Sequence, residues 1–408
     1  MQRDPAPKPA AEAPIVLVEP EAGGHHFIPY VLFLAQMLQA RGNPLSLITT
    51  ATAAAHPAMQ RLQQELPQPL RWLPMRRPIT QRGGTLGLLH RQWDYWRAVR
   101  EAARQIPDPD AIFVLMSADA LDRVMGLCGA PFGQRRFVAL FIQTKFHWPT
   151  QGIGPSGRWA LLSRLAFSRL LQHPRLHAAV SIDATLLASM RRHPGAARLH
   201  FVPDPGEIQC DWDRERARAS LGLPPSAYVV LVYGVIDERK GVPALLQALA
   251  GMEGPLHVVL AGRFSEGFRA QLAAAGADAL CAAGRLSLRD HYVDTDEEGR
   301  LFRAADLVWL GYAPSFHGQS AVLAQAASAG VPVLGKSTGL IGRMVRDARL
   351  GLTVDPADAA AVRAKLAEAM ASTATALAPG AAGFAAQRSS QAYRRAWAAC
   401  LFGMGGSE

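Results

Sequence analysis

The sequence predicts an α/β protein made of two domains, each a doubly wound parallel sheet. Apolar segments of strand length alternate with helix-like segments along the chain, which is typical of parallel βαβ units. The alternation stops in the Pro-rich, charged stretch 203–226 and then starts again. A length of 408 residues is enough for two separate hydrophobic cores.

The first series of elements begins with an apolar strand at 15–18 and the Gly-rich loop EPEAGGHHFIP. A helix follows at 30–41, and Gly42-Asn43-Pro44 ends it because glycine and proline stop helices. Further strands are predicted at 45–48, 111–115, 137–142, 178–182 and 199–202, and the clearest helices at 89–104 and 159–171.

The second series starts at 228 and repeats the same order of elements. Its predicted strands are 228–233, 256–261, 279–283, 307–310 and 331–334, and its clearest early helix is 243–250. A last helix at 386–402 places Tyr393, Trp397 and Leu401 on one face. We therefore expect that helix to pack back on the first domain.

These elements define five segments of the chain. They are a flexible N-terminal tail (1–13), a first Rossmann-like domain (14–205), a linker with one short helix (206–226), a second Rossmann-like domain (227–380) and the returning C-terminal segment (381–408).

The composition is that of a globular protein, with 49% hydrophobic residues. No apolar run reaches membrane-spanning length, and the N-terminus lacks the apolar core of a secretory signal. The four cysteines have neither metal nor redox spacing. These features predict a protein of the reducing cytoplasm.

A net charge of +10 favours an anionic partner. Basic residues cluster at 71–82 and 388–395, without the motifs or aromatic interleaving that nucleic-acid binding uses. Two interpretations stay open: a solvated basic face, or peripheral attachment to the inner face of an anionic membrane. No nucleic-acid partner is expected.

The stretch SFHGQSAVLAQAASAGVPVL, residues 315–334, has a polar, Gly-bearing loop before an Ala-rich helix. Helix N-termini carry unpaired N–H groups that bind anions. Because parallel sheets bind ligands at the carboxyl ends of their strands, we expect the loop His317–Ser320 and the amide of Ala321 to hold a phosphate group.

Residues 228–358 resemble the donor-binding domain of GT-B glycosyltransferases, particularly the retaining group-1 type (GT4). GVIDERKGVPALLQALA is similar to the family's strand–loop–helix, in which Lys240 would contact the donor diphosphate and Gly234 would open the loop. A fixed cation there would also stabilise charge on the departing diphosphate. AGRF and AGRLS resemble the next strand ends, which implies donor contacts from Gly262, Arg263, Arg285 and Leu286.

The chain departs from that family at its paired acidic motif, where it has His317 and Gln325 with Gly318 retained. Gln325 is expected to face the ligand and contact ribose, so Gln325→Glu should be tolerated or improve affinity. The family's loop arginine is replaced by Val235, and Arg239 is the expected substitute.

The loop AGGHHFIP resembles the Gly-rich first loop of GT-B acceptor domains. The resemblance implies acceptor contacts from Gly23, Gly24 and His25, with His26 as a candidate general base. His147, which follows a strand in QTKFHWP, is an equal candidate. Exposed or packed histidines are the alternative in each case.

These features predict a glycosyltransferase that moves a sugar from a UDP- or GDP-linked donor to an acceptor hydroxyl. Retention is expected, and neither metal nor other cofactor is needed if Lys240, Arg239 and the amides at 318–321 hold the diphosphate. The acceptor is a glycan, a lipid-linked or a small molecule, which implies a role in glycan biosynthesis.

Three alternatives remain. A degenerate GT-B binding or scaffold protein would explain the two lost acidic residues, and a GT-B sugar epimerase or phosphorylase would share the fold. A tandem dehydrogenase is disfavoured because EAGGHHF lacks the dinucleotide-binding glycine spacing.

Overall fold

The computed structural model of the protein describes residues 13–23, 26–79 and 84–403. It divides into two compact units, one formed by the described residues up to Asp204 and from Ser390 onward, the other by Pro205–Ser389. Each unit is built on one parallel sheet. The predicted fold class, two doubly wound α/β sheets, is confirmed.

The first unit contains, within these ranges, a seven-stranded sheet in the order β3-β2-β1-β4-β5-β6-β7. The strands are β1 Ile15–Val18, β2 Leu45–Thr49, β3 Arg71–Pro74, β4 Ile112–Leu115, β5 Phe137–Phe141, β6 Leu176–Ser181 and β7 Leu199–Phe201. Its helices are α1 Leu32–Ala40, α2 Ala51–Ala54, α3 Pro57–Glu65, α4 Gly84–Ala103, α5 Asp122–Cys128, α6 Ala160–Leu171 and α7 Ala184–Met190.

The second unit has a six-stranded parallel sheet, counted over its described residues, in the order β10-β9-β8-β11-β12-β13. The strands are β8 Tyr228–Tyr233, β9 Leu256–Ala261, β10 Leu286–Arg289, β11 Leu307–Leu310, β12 Val333–Lys336 and β13 Gly351–Val354. The helices are α8 Arg214–Ser220, α9 Val242–Ala250, α10 Phe268–Ala274, α11 Ala277–Ala282, α12 Thr295–Ala304, α13 Val322–Ser328, α14 Gly339–Asp347, α15 Ala359–Met370, α16 Ala374–Leu377 and α17 Ala381–Ala386.

Both sheets are covered by helices on their two faces, which explains why the strands are continuous apolar runs. In β1, Ile15 and Leu17 point into one core, with α1 and α3, while Val16 and Val18 point into the other, with α4 to α7. This alternation follows from the two-residue period of a strand.

The predicted strand at 279–283 is wrong, because these residues lie mostly in α11 Ala277–Ala282. Alanine is the best helix former, and Gly276 and Gly284, both at positive φ, bound the helix. The strand follows at Leu286–Arg289. The edge strands β3 and β13 were not predicted either.

The last helix, α18 Ser390–Phe402, belongs to the first unit. Tyr393, Trp397 and Leu401 are buried in the core that also contains α1, and the Tyr393 hydroxyl donates to the Tyr30 carbonyl at 3.1 Å. Residues 205–226 and 381–389 cluster with the second unit. The tail expected at 1–13 lies, except for Ala13, outside the described residues.

Candidate functional site

The loops after β8 and β9 pass against each other at the carboxyl edge of the second sheet. Gly234 and Gly262 have φ of +100° and +130°, values that favour glycine. A Cβ on Gly262 would overlap the Gly234 carbonyl oxygen. The two predicted donor-binding glycines therefore lie together, and the close approach requires Gly262 to lack a side chain.

Lys240 lies at the same edge with its side chain buried. Its Nζ donates to the Tyr233 carbonyl at 2.6 Å and to the Tyr312 hydroxyl at 2.9 Å. Among the residues that the structure describes, Lys240 forms no ion pair with a carboxylate. An ammonium has three N–H donors, so one donor and an unneutralised positive charge remain.

Arg239 differs from Lys240 in both exposure and pairing. Its Nε and Nη2 lie 2.8 and 2.7 Å from Asp237 Oδ2, and about half of its side chain is exposed. Its backbone carbonyl accepts a hydrogen bond from the Ala313 amide at 2.8 Å. Arg239 therefore joins the two loops through its backbone, while Asp237 already neutralises its charge.

The predicted phosphate loop precedes α13. Gly318, Gln319, Ser320 and Ala321 have backbone amides that find no acceptor among the described residues. Unpaired backbone amides in front of a helix can bind an anion. The Ser320 hydroxyl lies 2.9 Å from the Tyr312 hydroxyl, so this run of amides is joined by hydrogen bonds to Lys240.

His317 lies where the loop meets the start of α14. Its carbonyl accepts from the Leu340 amide at 2.9 Å, and a Cβ on Gly339 would lie 3.0 Å from its Cα. The backbone of His317 is thereby held directly before the unpaired amides of 318–321, and the residue is half-buried.

Lys336, which the sequence analysis did not identify, holds this loop in place through three hydrogen bonds. Its buried Nζ donates to the carbonyls of Ala313, Pro314 and Phe316 at 3.2, 2.6 and 2.7 Å. Burial lowers the pKa of this ammonium. The available sequence signal was a lysine that ends an otherwise apolar strand.

Gln325 does not have the environment predicted for it. The side chain is buried in α13, and its Nε2 donates to Glu298 Oε1 at 2.6 Å. Its Oε1 has no hydrogen-bond donor among the described residues. The Gln325 amide therefore already donates to a carboxylate of α12, which is not the ribose contact expected for it.

Arg285 and Leu286 lie at the opposite edge of the sheet from the glycine loops. Because the strand is β10 Leu286–Arg289, these two residues are at its amino end, and the strand wrongly predicted at 279–283 had put them at the carboxyl end. Their assignment to the donor site is therefore corrected. The exposed Arg263, which follows β9, is at the carboxyl edge as expected.

The first unit has its own polar cluster, at the carboxyl ends of β1 and β4. Glu19, fully buried, lies 3.0 Å from His26 Nδ1 and accepts from the Ser117 hydroxyl at 2.6 Å. Glu19, like Lys336, was not identified from the sequence, although it directly follows an apolar strand. Gly23 is exposed, and Gly24 and His25 lie outside the described residues.

The electrostatics of this cluster argue against His26 as a general base. Burial acts to lower the pKa of His26, but the charge and hydrogen bond of Glu19, helped by Glu21, outweigh it and raise the pKa to about 9. The imidazole is therefore protonated at neutral pH. A protonated imidazole donates hydrogen bonds and cannot accept a proton.

His147, the other candidate base, is buried. Its Nε2 lies 3.0 Å from both Asp183 Oδ2 and Thr185 Oγ1, at the start of α7. The hydrogen bond from His147 contributes to a lowered pKa of Asp183, although burial opposes it. His147 thus anchors its loop to α7, and its Nε2 is not open to an acceptor.

Two absences are confined to the described part of the chain. It has no group of three or more His, Cys, Asp and Glu side chains placed to hold a metal ion. None of its helices is both long and apolar enough to span a membrane.

Comparison with known sequences places a family match in the second unit. Residues 213–384 match the family described as glycosyl transferases group 1. The D-inositol 3-phosphate glycosyltransferase of Mycolicibacterium gilvum (strain PYR-GCK) is 34% identical over 173 residues, 40% of this chain and 34% of that protein. Its counterpart from Mycobacterium marinum is 35% identical over 172 residues, 41% and 34% of the two chains. The chain thus spans about a third of the length of these curated relatives.

Solved structures match nearly the whole chain. Anabaena HepE in complex with UDP and glucose gives a TM-score of 0.69 at 16% identity, covering 96% of this chain and 100% of that one. WaaG, a glycosyltransferase involved in lipopolysaccharide biosynthesis, gives 0.65 at 16% identity with the same coverage. At such identities the likeness shows the fold, which is GT-B. The chain therefore has the GT-B fold, and residues 213–384 of its second unit match the group 1 glycosyltransferase family.

Proposed function

We propose that the protein transfers a sugar from a nucleotide sugar to an acceptor hydroxyl. The observation that carries this proposal is the buried Lys240 ammonium, which lacks a carboxylate partner in the described chain and is linked through Tyr312 to the unpaired amides at 318–321. Buried charges are costly unless an opposite charge compensates them. A diphosphate supplies that charge and accepts hydrogen bonds from the amides.

The donor is proposed to be UDP- or GDP-linked. HepE, which shares the fold, has been solved with UDP and with UDP-glucose, so UDP-glucose is the first donor to test. We assign the diphosphate to Lys240 and the amides of Gly318–Ala321, and a supporting contact to Arg263. Arg239 contributes to binding only when it leaves Asp237.

The proposed reaction retains configuration at the anomeric carbon and uses no metal. The bond from sugar C1 to the diphosphate oxygen breaks, and C1 bonds to the acceptor oxygen on the same face. The acceptor proton passes to the departing phosphate oxygen. Lys240 and the amides stabilise the negative charge that develops on the departing phosphate oxygen. This reaction does not require His26 to act as a base.

The acceptor remains a glycan, a lipid-linked or a small molecule. The names of the curated relatives mention inositol 3-phosphate. However, that match covers 173 residues and the family match covers 213–384, and each is less than half of this chain. In the first unit, the His26 imidazolium is proposed to donate a hydrogen bond to an acceptor oxygen while Glu19 holds its orientation.

The second candidate is a GT-B protein that binds a nucleotide sugar without turning it over. It is favoured by His317 at one family acidic position and by Gln325, which contacts Glu298, at the other. An epimerase would instead change the sugar without any acceptor.

Calorimetry with UDP and GDP, followed by NMR of UDP-glucose with and without a panel of acceptors, separates these functions. Transfer with an α-linked product supports the proposal. Binding without turnover supports the second candidate, and a changed free sugar nucleotide supports an epimerase. Absence of binding to either nucleotide would overturn the diphosphate assignment.

A further inference from the structure

Three helices of the first unit, α4, α5 and α6, cover one face of its sheet, and we call their outward side the outer helix face. Four large apolar side chains are exposed there. Leu161 is 84% exposed, and Trp93, Leu127 and Leu165 are each 40% exposed or more. Single exposed apolar residues are ordinary, but a contiguous group marks an interaction site.

Contacts between the helices place these residues on neighbouring elements. The α5 and α6 backbones are so close that a Cβ on Gly126 would overlap the Ala166 backbone, which brings the neighbouring Leu127 and Leu165 to the same crossing. On the other side, Trp93 stacks on Trp96 at 5.1 Å, and the Trp96 indole donates to the Gly129 carbonyl at the end of α5. The four exposed apolar residues thus lie on three helices that pack side by side.

In helix α6, the exposed leucines lie on a different side from the residues that pack into the core. Its inward side buries Ala166, Phe167 and Leu170. Its outward side carries Leu161, Arg164, Leu165 and Arg169, at spacings that share one helix face. Such a face offers apolar surface that can be buried in a membrane interface together with positive charge that attracts anionic lipid.

The charge of the outer helix face selects the partner. None of the exposed residues described in α4, α5 and α6 is acidic, whereas five are arginines: Arg91, Arg97, Arg100, Arg164 and Arg169. The acidic residues described in these helices, Asp94, Glu101 and Asp122, are half-buried. Glu101 already pairs with Arg77, and Asp122 accepts from Gln92 at 2.8 Å. A second copy of this chain would bring arginines against arginines, which like-charge repulsion disfavours.

We propose that the outer helix face binds the surface of an anionic lipid bilayer. Leu161, Leu165 and Trp93 enter the boundary between headgroups and acyl chains, and the arginines extend to lipid phosphates. This surface differs from the basic clusters 71–82 and 388–395. Its binding does not require the diphosphate site.

Flotation of the full chain with vesicles tests the proposal. Phosphatidylcholine vesicles containing phosphatidylglycerol should bind the protein, high salt should weaken binding, and phosphatidylcholine alone should bind it poorly. Leu161→Ser with Leu165→Ser should lower binding about tenfold or more, because burial of one leucine changes a partition constant by roughly that factor. Arg164→Gln with Arg169→Gln should lower it roughly fivefold per arginine at low salt.

The matched control is Arg71→Gln with Trp72→Ser, which removes an exposed arginine and tryptophan of β3. This control should bind vesicles as the wild type does. The proposal is overturned if the wild type does not bind vesicles, if the control loses binding while the leucine variant retains it, or if light scattering shows that the leucines mediate self-association. UDP calorimetry on each variant reports the diphosphate site separately, and thermal unfolding confirms that each variant is folded.

Discussion

Lys240 Nζ lies 2.9 Å from the hydroxyl of Tyr312, whose oxygen is in turn 2.9 Å from Ser320 Oγ. The first bond joins the loop after β8 to the loop after β11, and the second lies within the loop after β11. Strands β8 and β11 are adjacent in the second sheet. A cation and a run of unpaired amides thereby meet at one point of the carboxyl edge. Under the proposed function, both loops contribute to the binding of one diphosphate.

Lys240→Met should lower turnover by about 10²–10³-fold, since removal of one preorganised electrostatic contact has this effect in comparable sites. The methionine keeps the buried volume, so the fold should persist. Lys365→Met, at an exposed lysine paired with Glu368, is the matched control and should keep wild-type turnover. Steady-state release of UDP from UDP-glucose measures both, and equal rates would remove Lys240 from the reaction.

Gly318→Val should abolish measurable UDP binding while leaving the thermal unfolding temperature nearly unchanged. The atoms nearest to a Cβ at this position belong to the Phe316 ring, at 3.1 Å, and this side chain can shift. The added valine side chain would block approach to the unpaired amides. Calorimetry with UDP measures the effect. Undiminished affinity in a folded variant would contradict the amide site.

Gln325→Glu should destabilise the protein, which reverses the expectation from the family resemblance. The new carboxylate would replace an amide that donates to Glu298 at 2.6 Å, and two like charges at this distance repel. We expect a loss of about 1–3 kcal/mol in the free energy of unfolding at neutral pH. Adding Glu298→Gln should restore stability, and a destabilised double variant would show that the pair does not act as described.

His26 should titrate with a pKa of about 9. Because the folded-state pKa lies above the ordinary value of 6.5, protonation stabilises the fold fully below about pH 6.5, and this contribution is lost as pH rises through about 9. Its magnitude is about 1–3 kcal/mol, allowing for a partly exposed ring. Histidine NMR gives the pKa, and chemical unfolding at several pH values gives the stability.

Glu19→Gln tests the cause of that shift. Without the Glu19 charge, the pKa of His26 should fall, since burial alone lowers it. His193→Gln is the control in the same unit and should leave the His26 titration unchanged. A His26 signal that titrates near 6.5 in the wild-type protein would contradict the proposed pairing.

Lys336→Met should weaken UDP binding indirectly, because residue 336 supports the loop and does not itself contact the nucleotide. Three carbonyls of the loop before His317 lose their shared donor, so the amides at 318–321 are less well ordered. We expect a loss of about 1–3 kcal/mol in stability from the unsatisfied carbonyls and roughly tenfold weaker UDP binding. Calorimetry and thermal unfolding measure the two effects, and unchanged UDP affinity would exclude a positioning role.

The sequence by itself determined the two α/β units, most strands and the position of the loop that precedes α13. These features depend on local patterns, because buried parallel strands are continuous apolar runs and glycines stand where loops pass closely. GVIDERKG and the loop at 315–334 resemble group-1 glycosyltransferases, and this resemblance pointed to Lys240 and Gly318–Ala321 as candidate donor-binding residues. The tertiary structure brings these residues together at the carboxyl edge of the second sheet.

Only the tertiary structure decided the partners of the polar side chains. Gln325 and Glu298 are 27 residues apart, and Glu19 and Ser117 are 98 apart, so no local pattern predicts their contacts. One misassigned element, the strand at 279–283, moved Arg285 to the wrong edge of the sheet, because the end of a strand decides which residues reach the ligand. The protonation of His26 likewise depends on the buried charge of Glu19, which packing alone brings within 3.0 Å.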